Sequence, residues 1–423
     1  PPYAEDCAVR RFVLAVLLCL AALAVPSSSS ALPPPGFASD NVEWLGNVPL
    51  HADTAGARIH GHYLYVTSSH ELTIYDIADP VSPVPLSTLP IPQQPYFAEE
   101  DVDTNGKVLL IGTLQSLLVF DVRDKTRPAL TGILQGGDSH TITCVLDCTW
   151  SYASYGQIVD LRDPANPKAV GDWKKALPAG PGTQHDVTEV APGLVVTSSV
   201  TMWVLDARKD PAHPKVLATG TTPDKRFIHA NLWPRGGKDR LLLVGGETAE
   251  AGTGTSCSDP AAGAFMTWDT KGWQTSKKLT LLDSYRPATV TPTTGGALAY
   301  ETYCSHWFTP RPGWKDGGQV AVGWYEHGTR LLKVSKAGKI KEIGYFVPAA
   351  TTASAAYWVT KDLLYVLDYQ RGLDILRVHD GKAPASISPQ ATGLRPDQMP
   401  AHLRTVLPGA LDGDKWRCGG LTL

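Results

Sequence analysis

The chain has 423 residues, 38 Lys and Arg against 41 Asp and Glu, and a formal net charge of −3. The basic residues are scattered and form no stripe, which excludes a nucleic-acid surface as the organising function. A hydrophobic fraction of 43% over this length supplies one substantial core.

In chain order, Arg10-Arg11 precede an apolar run from Phe12 to Val25 that breaks at Pro26 into Ser27–Ser30 and Ala31. A basic start, a short apolar core and a small-residue exit are the pattern of a secretory signal peptide over residues 1–31. The run is too short to cross a membrane comfortably, so an uncleaved N-terminal anchor is the secondary expectation. Residues 32–40 (LPPPGFASD) read as a linker, 41–378 as one folded domain, and 379–423 as a Gly/Pro-rich C-terminal tail.

Within 41–378 a short apolar run ends in Asp and meets a turn closed by Pro four times: LTIYDIADPVSP (72–83), LLVFDVRDKTRP (117–128), QIVDLRDPANP (157–167) and MWVLDARKDPAHP (202–214). The Asp residues are Asp76, Asp121, Asp160 and Asp206, at intervals of 45, 39 and 46. Lys107–Gly112 and Leu117–Val122 are β-branched and aliphatic runs bounded by polar turns, so each unit consists of strands. In Asp163-Pro164-Ala165-Asn166-Pro167 an Asp acceptor precedes a Pro of preset φ, and the repeated Asp residues read as acceptors for turn amides. A period of 40–50 residues built from strands predicts an all-β propeller of four antiparallel strands per blade.

Later units follow at Leu241–Gly245 with Trp268-Asp269, at Gln319–Trp324 with Arg330–Val334 (Lys333 in the Asp position), and at Leu363–Leu367 with Leu373–Val378. The seventh lacks a fourth strand after Val378, and Asn41–Val48 has the form of one. Seven blades closed by the N-terminal strand are therefore expected.

The strand-plus-turn motif at 72–83, 117–128, 157–167 and 202–214 resembles the LVIVD repeat of bacterial and archaeal surface or secreted proteins. The resemblance implies a β-propeller in an extracytoplasmic place. It brings no agreed activity and no catalytic residues.

Five cysteines lie beyond the leader: Cys144, Cys148, Cys257, Cys304 and Cys418. Cys144 and Cys148 sit at the two ends of a tight hairpin turn and are expected to bridge, as are Cys257 and Cys304 between neighbouring blades, with Cys418 left over.

Aligning the units on the third-strand Asp puts Glu100 21 residues before Asp121, His140 20 before Asp160 and His185 21 before Asp206. His229 opens the corresponding strand of unit five, and His306, after Cys304-Ser305, that of unit six; Tyr357 holds the position in unit seven and Ala55 or Gly56 in unit one. That offset is the opening of the innermost strand, which lines the central channel. His140, His185, His229 and His306, with Glu100, are thus the candidate ligands of a transition metal, zinc, copper or iron, and Asp186 is a candidate to orient an imidazole. The alternative for each histidine is a hydrogen bond to a neighbouring backbone carbonyl. No nucleophile elbow, phosphate-binding Gly loop or Cys-x-x-Cys pair is present, and the turn at Asp160–Asp163 lacks the Gly and Glu of an EF-hand.

The sequence leads to a secreted or cell-surface monomeric binding module with a histidine-lined metal or small-ligand site at one channel mouth. Its partner is a protein or small molecule met there or on the insertions at 247–265 and 308–318. The rival is a metal-dependent oxidoreductase or lyase, for which histidine-lined propellers such as the methanethiol oxidase (selenium-binding) family offer a fold-level analogy.

Overall fold

The computed structural model describes residues 36–48, 54–68, 71–92, 102–113, 115–137, 140–178, 184–223, 227–247, 263–287, 304–325, 327–348, 351–369 and 371–381. Seven antiparallel sheets follow one another along the chain as the blades of a propeller. From innermost to outermost strand, blade 1 is Thr54–His60, Tyr63–Ser68, Glu71–Asp76 and Val84–Pro90; blade 2 is Val102–Thr104, Val108–Gly112, Ser116–Asp121 and Ala129–Gln135. Blade 3 is Ile142–Val145, Trp150–Ala153, Gln157–Asp160 and Lys168–Asp172; blade 4 is Asp186–Ala191, Leu194–Ser198, Thr201–Asp206 and Lys215–Thr221. Blade 5 is Ile228–Leu232, Leu241–Gly246, Phe265–Asp269 and Thr280–Tyr285; blade 6 is Phe308–Pro310, Gly318–Gly323, Thr329–Val334 and Ile340–Pro348. Blade 7 is Ala353–Trp358, Leu363–Asp368, Gly372–Val378 and, from the other end of the domain, Val42–Val48.

The repeated Asp fixes each turn after the third strand. Oδ1 of Asp76, Asp121, Asp160, Asp206 and Asp269 accepts the backbone N–H two residues on, at 2.8–3.1 Å. In blades 2–4 that following residue is Arg123, Arg162 or Arg208, whose guanidinium forks onto the same carboxylate and holds it below the usual carboxylate range. Every blade then carries a bulge between its third and outermost strands, at Ile74/Tyr75 in blade 1 and at Trp44/Gly46 in blade 7 for example. One unpaired residue there raises the local twist and turns the outer edge away from flat pairing.

The core lies between the blades. Leu72 and Ile74 of blade 1 pack on Leu109, Ile111, Leu118 and Phe120 of blade 2, all at most 1% exposed. Across the ring seam Ala57, Leu64 and Val66 of blade 1 meet Ala355, Tyr365, Leu367 and Ile375 of blade 7. Each Val, Leu, Ile or Phe side chain so buried contributes roughly 1.5–3 kcal/mol. Tyrosines of the second strands add polar ties: Tyr152 donates to the Pro211 carbonyl of blade 4 (2.6 Å), and Tyr365 to the Pro80 carbonyl of blade 1 (2.7 Å).

The seam is closed as expected, Val42–Val48 pairing with Gly372–Val378. Trp44 Nε1 donates to Oδ1 of the fully buried Asp374 at 2.8 Å, and Arg371 neutralises that carboxylate. The linker reading of 32–40 needs correction, because Gly36–Ala38 pair with Phe346–Pro348 as a fifth strand of blade 6. The insertion placed at 308–318 also contains a blade strand, Phe308–Pro310, joined to the next by the turn 311–317.

Cys144 and Cys148 form a disulfide across the first hairpin turn of blade 3, where Leu146, Asp147 and Cys148 all have φ between 52° and 58°. Cys304 is likewise disulfide-bonded; the expected partner Cys257, and Cys418, lie outside the described residues. Among the described residues no helix is long and apolar enough to cross a membrane.

Candidate metal centre

Innermost strands of successive blades open around one axis, so residues at equivalent openings become neighbours. His140 and His185 lie just before the innermost strands of blades 3 and 4, His229 is the second residue of that strand in blade 5, and His306 stands two residues before it in blade 6. The four rings form a continuous arc: centroids are 4.4 Å apart for His140 and His185, 4.2 Å for His185 and His229, and 4.1 Å for His229 and His306. None is more than 7% exposed. Tyr325 continues the arc, 4.5 Å from His306, with Tyr369 of blade 7 beyond it.

Of the other expected positions, Tyr357 is not part of this arc and Glu100 cannot be placed in or out of it. Glu100, with Glu99 and Asp101, lies outside the described residues. Tyr357 is the fifth residue of its strand and donates to the Ala57 carbonyl of blade 1 at 3.0 Å. Blade 7 has six- and seven-residue strands and a four-residue turn at 359–362, so a fixed count back from Arg377 stops short of the strand opening.

Backbone carbonyls of the next blade set the imidazoles. His185 Nδ1 donates to the His229 carbonyl at 3.1 Å, and His306 Nδ1 to the Ser354 carbonyl at 2.6 Å. A carbonyl only accepts, so both rings carry their proton on Nδ1 and present a lone pair on Nε2, the form a metal requires. His140 Nε2 lies 2.8 Å from His185 Nε2 and is therefore the donor of that bond. Thr141 Oγ1 donates to the His185 carbonyl at 2.6 Å, extending the same blade-to-blade chain.

Asp186 does not take the orienting part expected of it. Its buried carboxylate accepts from Thr188 Oγ1 (2.9 Å) and Asn231 Nδ2 (3.3 Å). Burial pushes its pKa up to about 6, against the pull of the Thr188 hydroxyl and His229.

The residue that completes the centre is Glu247, at the end of the second strand of blade 5 and 2% exposed. Its Oε2 is 3.7 Å from His185 Nε2, and its buried Oε1 has no hydrogen-bond partner among the described residues. Ligand atoms of His185, His229 and Glu247 lie within 4.8 Å of one another, while His140 and His306 flank this set. Bonds of about 2.1 Å spread donor atoms on one ion from about 3.0 Å in cis to about 4.2 Å in trans, so small side-chain rotations bring all three onto one centre. An unpartnered carboxylate oxygen in a buried site is unfavourable unless a cation answers it. Cys304, two residues before His306, is withdrawn as a donor by its disulfide.

Sequence reasoning missed Glu247 because it does not sit at a strand opening. An antiparallel second strand ends where the innermost strand begins, so an acid after the apolar run Leu241–Gly246 was the available signal.

A protein-family model described as the LVIVD repeat matches residues 53–87, which coincide with blade 1. No curated protein is matched by the chain.

Proposed function

Taking the chain as a seven-bladed β-propeller that contains an LVIVD repeat, we propose that it is an exported metal-binding module. One transition-metal ion, zinc, copper or iron, is held at the channel mouth by His185, His229 and Glu247, with His140 and His306 beside it. The observation that carries this reading is the buried Glu247 carboxylate, one oxygen without a hydrogen-bond partner among the described residues, beside the imidazoles of His185 and His229. Export is supported by the leader pattern at residues 10–31 and by the Cys144–Cys148 disulfide, since such bonds persist in oxidising compartments. The module works as a monomer toward a small molecule or a protein, and its charge balance disfavours nucleic acid.

The test is elemental mass spectrometry of the untagged protein. About one equivalent of a transition metal is expected, falling below about a tenth in His185→Ala and in His229→Ala. No bound metal after reconstitution with zinc, copper and ferrous salts would leave the histidines as structural hydrogen-bonding groups and overturn the proposal.

A further inference from the structure

The identity of the ion and what else it binds follow from where its three donors come from. His185 belongs to blade 4, and His229 and Glu247 both belong to blade 5. Two adjacent blades out of seven grip the ion, so the donors approach from one sector of the channel wall. An ion held by donors from one side would keep its remaining coordination positions on the side away from those two blades. A closed structural zinc site has four protein donors, and among the described residues the mutual set has three.

The chemistry of the donors narrows the ion. Two imidazoles and one carboxylate form the set, and Cys304, two residues before His306, is held in a disulfide. Two histidines and one carboxylate gathered on one side, with other positions open, suit divalent iron that takes exogenous ligands. The surroundings are aromatic: Phe227 stands edge-on to His185 at 5.4 Å, Trp307 to His229 at 5.6 Å, and Tyr325 and Tyr369 lie against His306 at 4.5 and 6.3 Å. A wall of apolar aromatic surface favours a small uncharged ligand.

We propose that the ion is ferrous iron and that it binds a neutral diatomic ligand of the dioxygen class on its channel side. The proposal rests on the metal-binding reading above and adds the ion and its open position.

Nitric oxide is the probe. Metal-free full-length protein is loaded anaerobically with ferrous sulfate, its iron content is measured, nitric oxide is added, and the electron paramagnetic resonance spectrum is recorded. The expected result is the half-integer-spin signal of a ferrous nitrosyl adduct, about one per iron. Both iron content and signal should fall at least about tenfold in His229→Ala and in Glu247→Gln, and persist in His213→Ala, a change at an exposed turn histidine. Far-ultraviolet circular dichroism of each variant shows that the propeller is intact. Stoichiometric iron without a nitrosyl signal would mean a coordination shell filled by protein, and selective uptake of zinc or copper would mean another ion. Either overturns this inference and leaves the metal-binding reading in place. A signal that survives His229→Ala and Glu247→Gln would mean iron bound elsewhere and also overturns it. Absence of every metal takes both down.

Discussion

The Nε2 atoms of His140 and His185 lie 2.8 Å apart, and the lone pair that His140 engages is the one an ion must take. His185 cannot offer Nδ1 instead, because the His229 carbonyl holds it. Metal uptake therefore breaks the bond between the two histidines. A neutral hydrogen bond has a net worth of about 1 kcal/mol, so His140→Ala is expected to tighten metal binding up to about fivefold. A competition titration against a chelator measures it. A loss of affinity would instead make His140 a ligand.

Tyr152, Tyr365 and Tyr65 occupy the second strands of blades 3, 7 and 1 and are fully buried. The hydroxyls of Tyr152 and Tyr365 each reach a Pro carbonyl in the next blade. Tyr65 has no such partner: blade 2 carries Lys125 in place of that Pro, and the Lys125 carbonyl accepts from Ser87 at 2.7 Å. Replacing Tyr152 or Tyr365 by Phe should lower stability by about 1 kcal/mol, and Tyr65→Phe should be neutral or slightly stabilising. Denaturant unfolding of the three variants checks this. Equal losses at all three positions would show that the Pro carbonyls contribute nothing.

His327 provides a pH dependence away from the metal centre. Burial, reinforced by the Arg330 charge, pushes its pKa from 6.5 down to about 4. The folded protein keeps this ring neutral while the unfolded chain protonates it, so its contribution is complete above pH 6.5 and is lost as pH falls toward 4. The loss amounts to at most about 3 kcal/mol. Thermal unfolding between those limits should show His327→Gln with a shallower acid decline than the wild type. Parallel declines would refute the assignment.

Legibility of this chain in its sequence followed the range of the interaction. Asp121 and Asp160 announced their turns because the amides they hold are two residues away. The histidine arc could be read because blades 3 and 4 keep nearly the same count from histidine to Asp, 20 and 21 residues, and the count failed at Tyr357 where the turn of blade 7 lengthens. Glu247 reaches the centre through the antiparallel return of its strand, so its signal, an acid after the apolar run Leu241–Gly246, lies off the count that finds the histidines. Gly36–Ala38 is a three-residue edge strand whose partner lies some three hundred positions away, too short for a period to show.

The bond between Trp44 and Asp374 joins positions 330 residues apart. During synthesis the strand Val42–Val48 leaves the ribosome long before the sheet it completes exists, whereas the four main strands of every other blade are consecutive in the chain. The circle is thus finished by its oldest segment, after the newest has appeared, and that long loop closure belongs to the slow end of folding. Until then one blade keeps a bare edge that invites association with other chains. Because the link from Ala38 to Val42 is so short, the same late event also docks Gly36–Ala38 onto blade 6, fastening two blades at once.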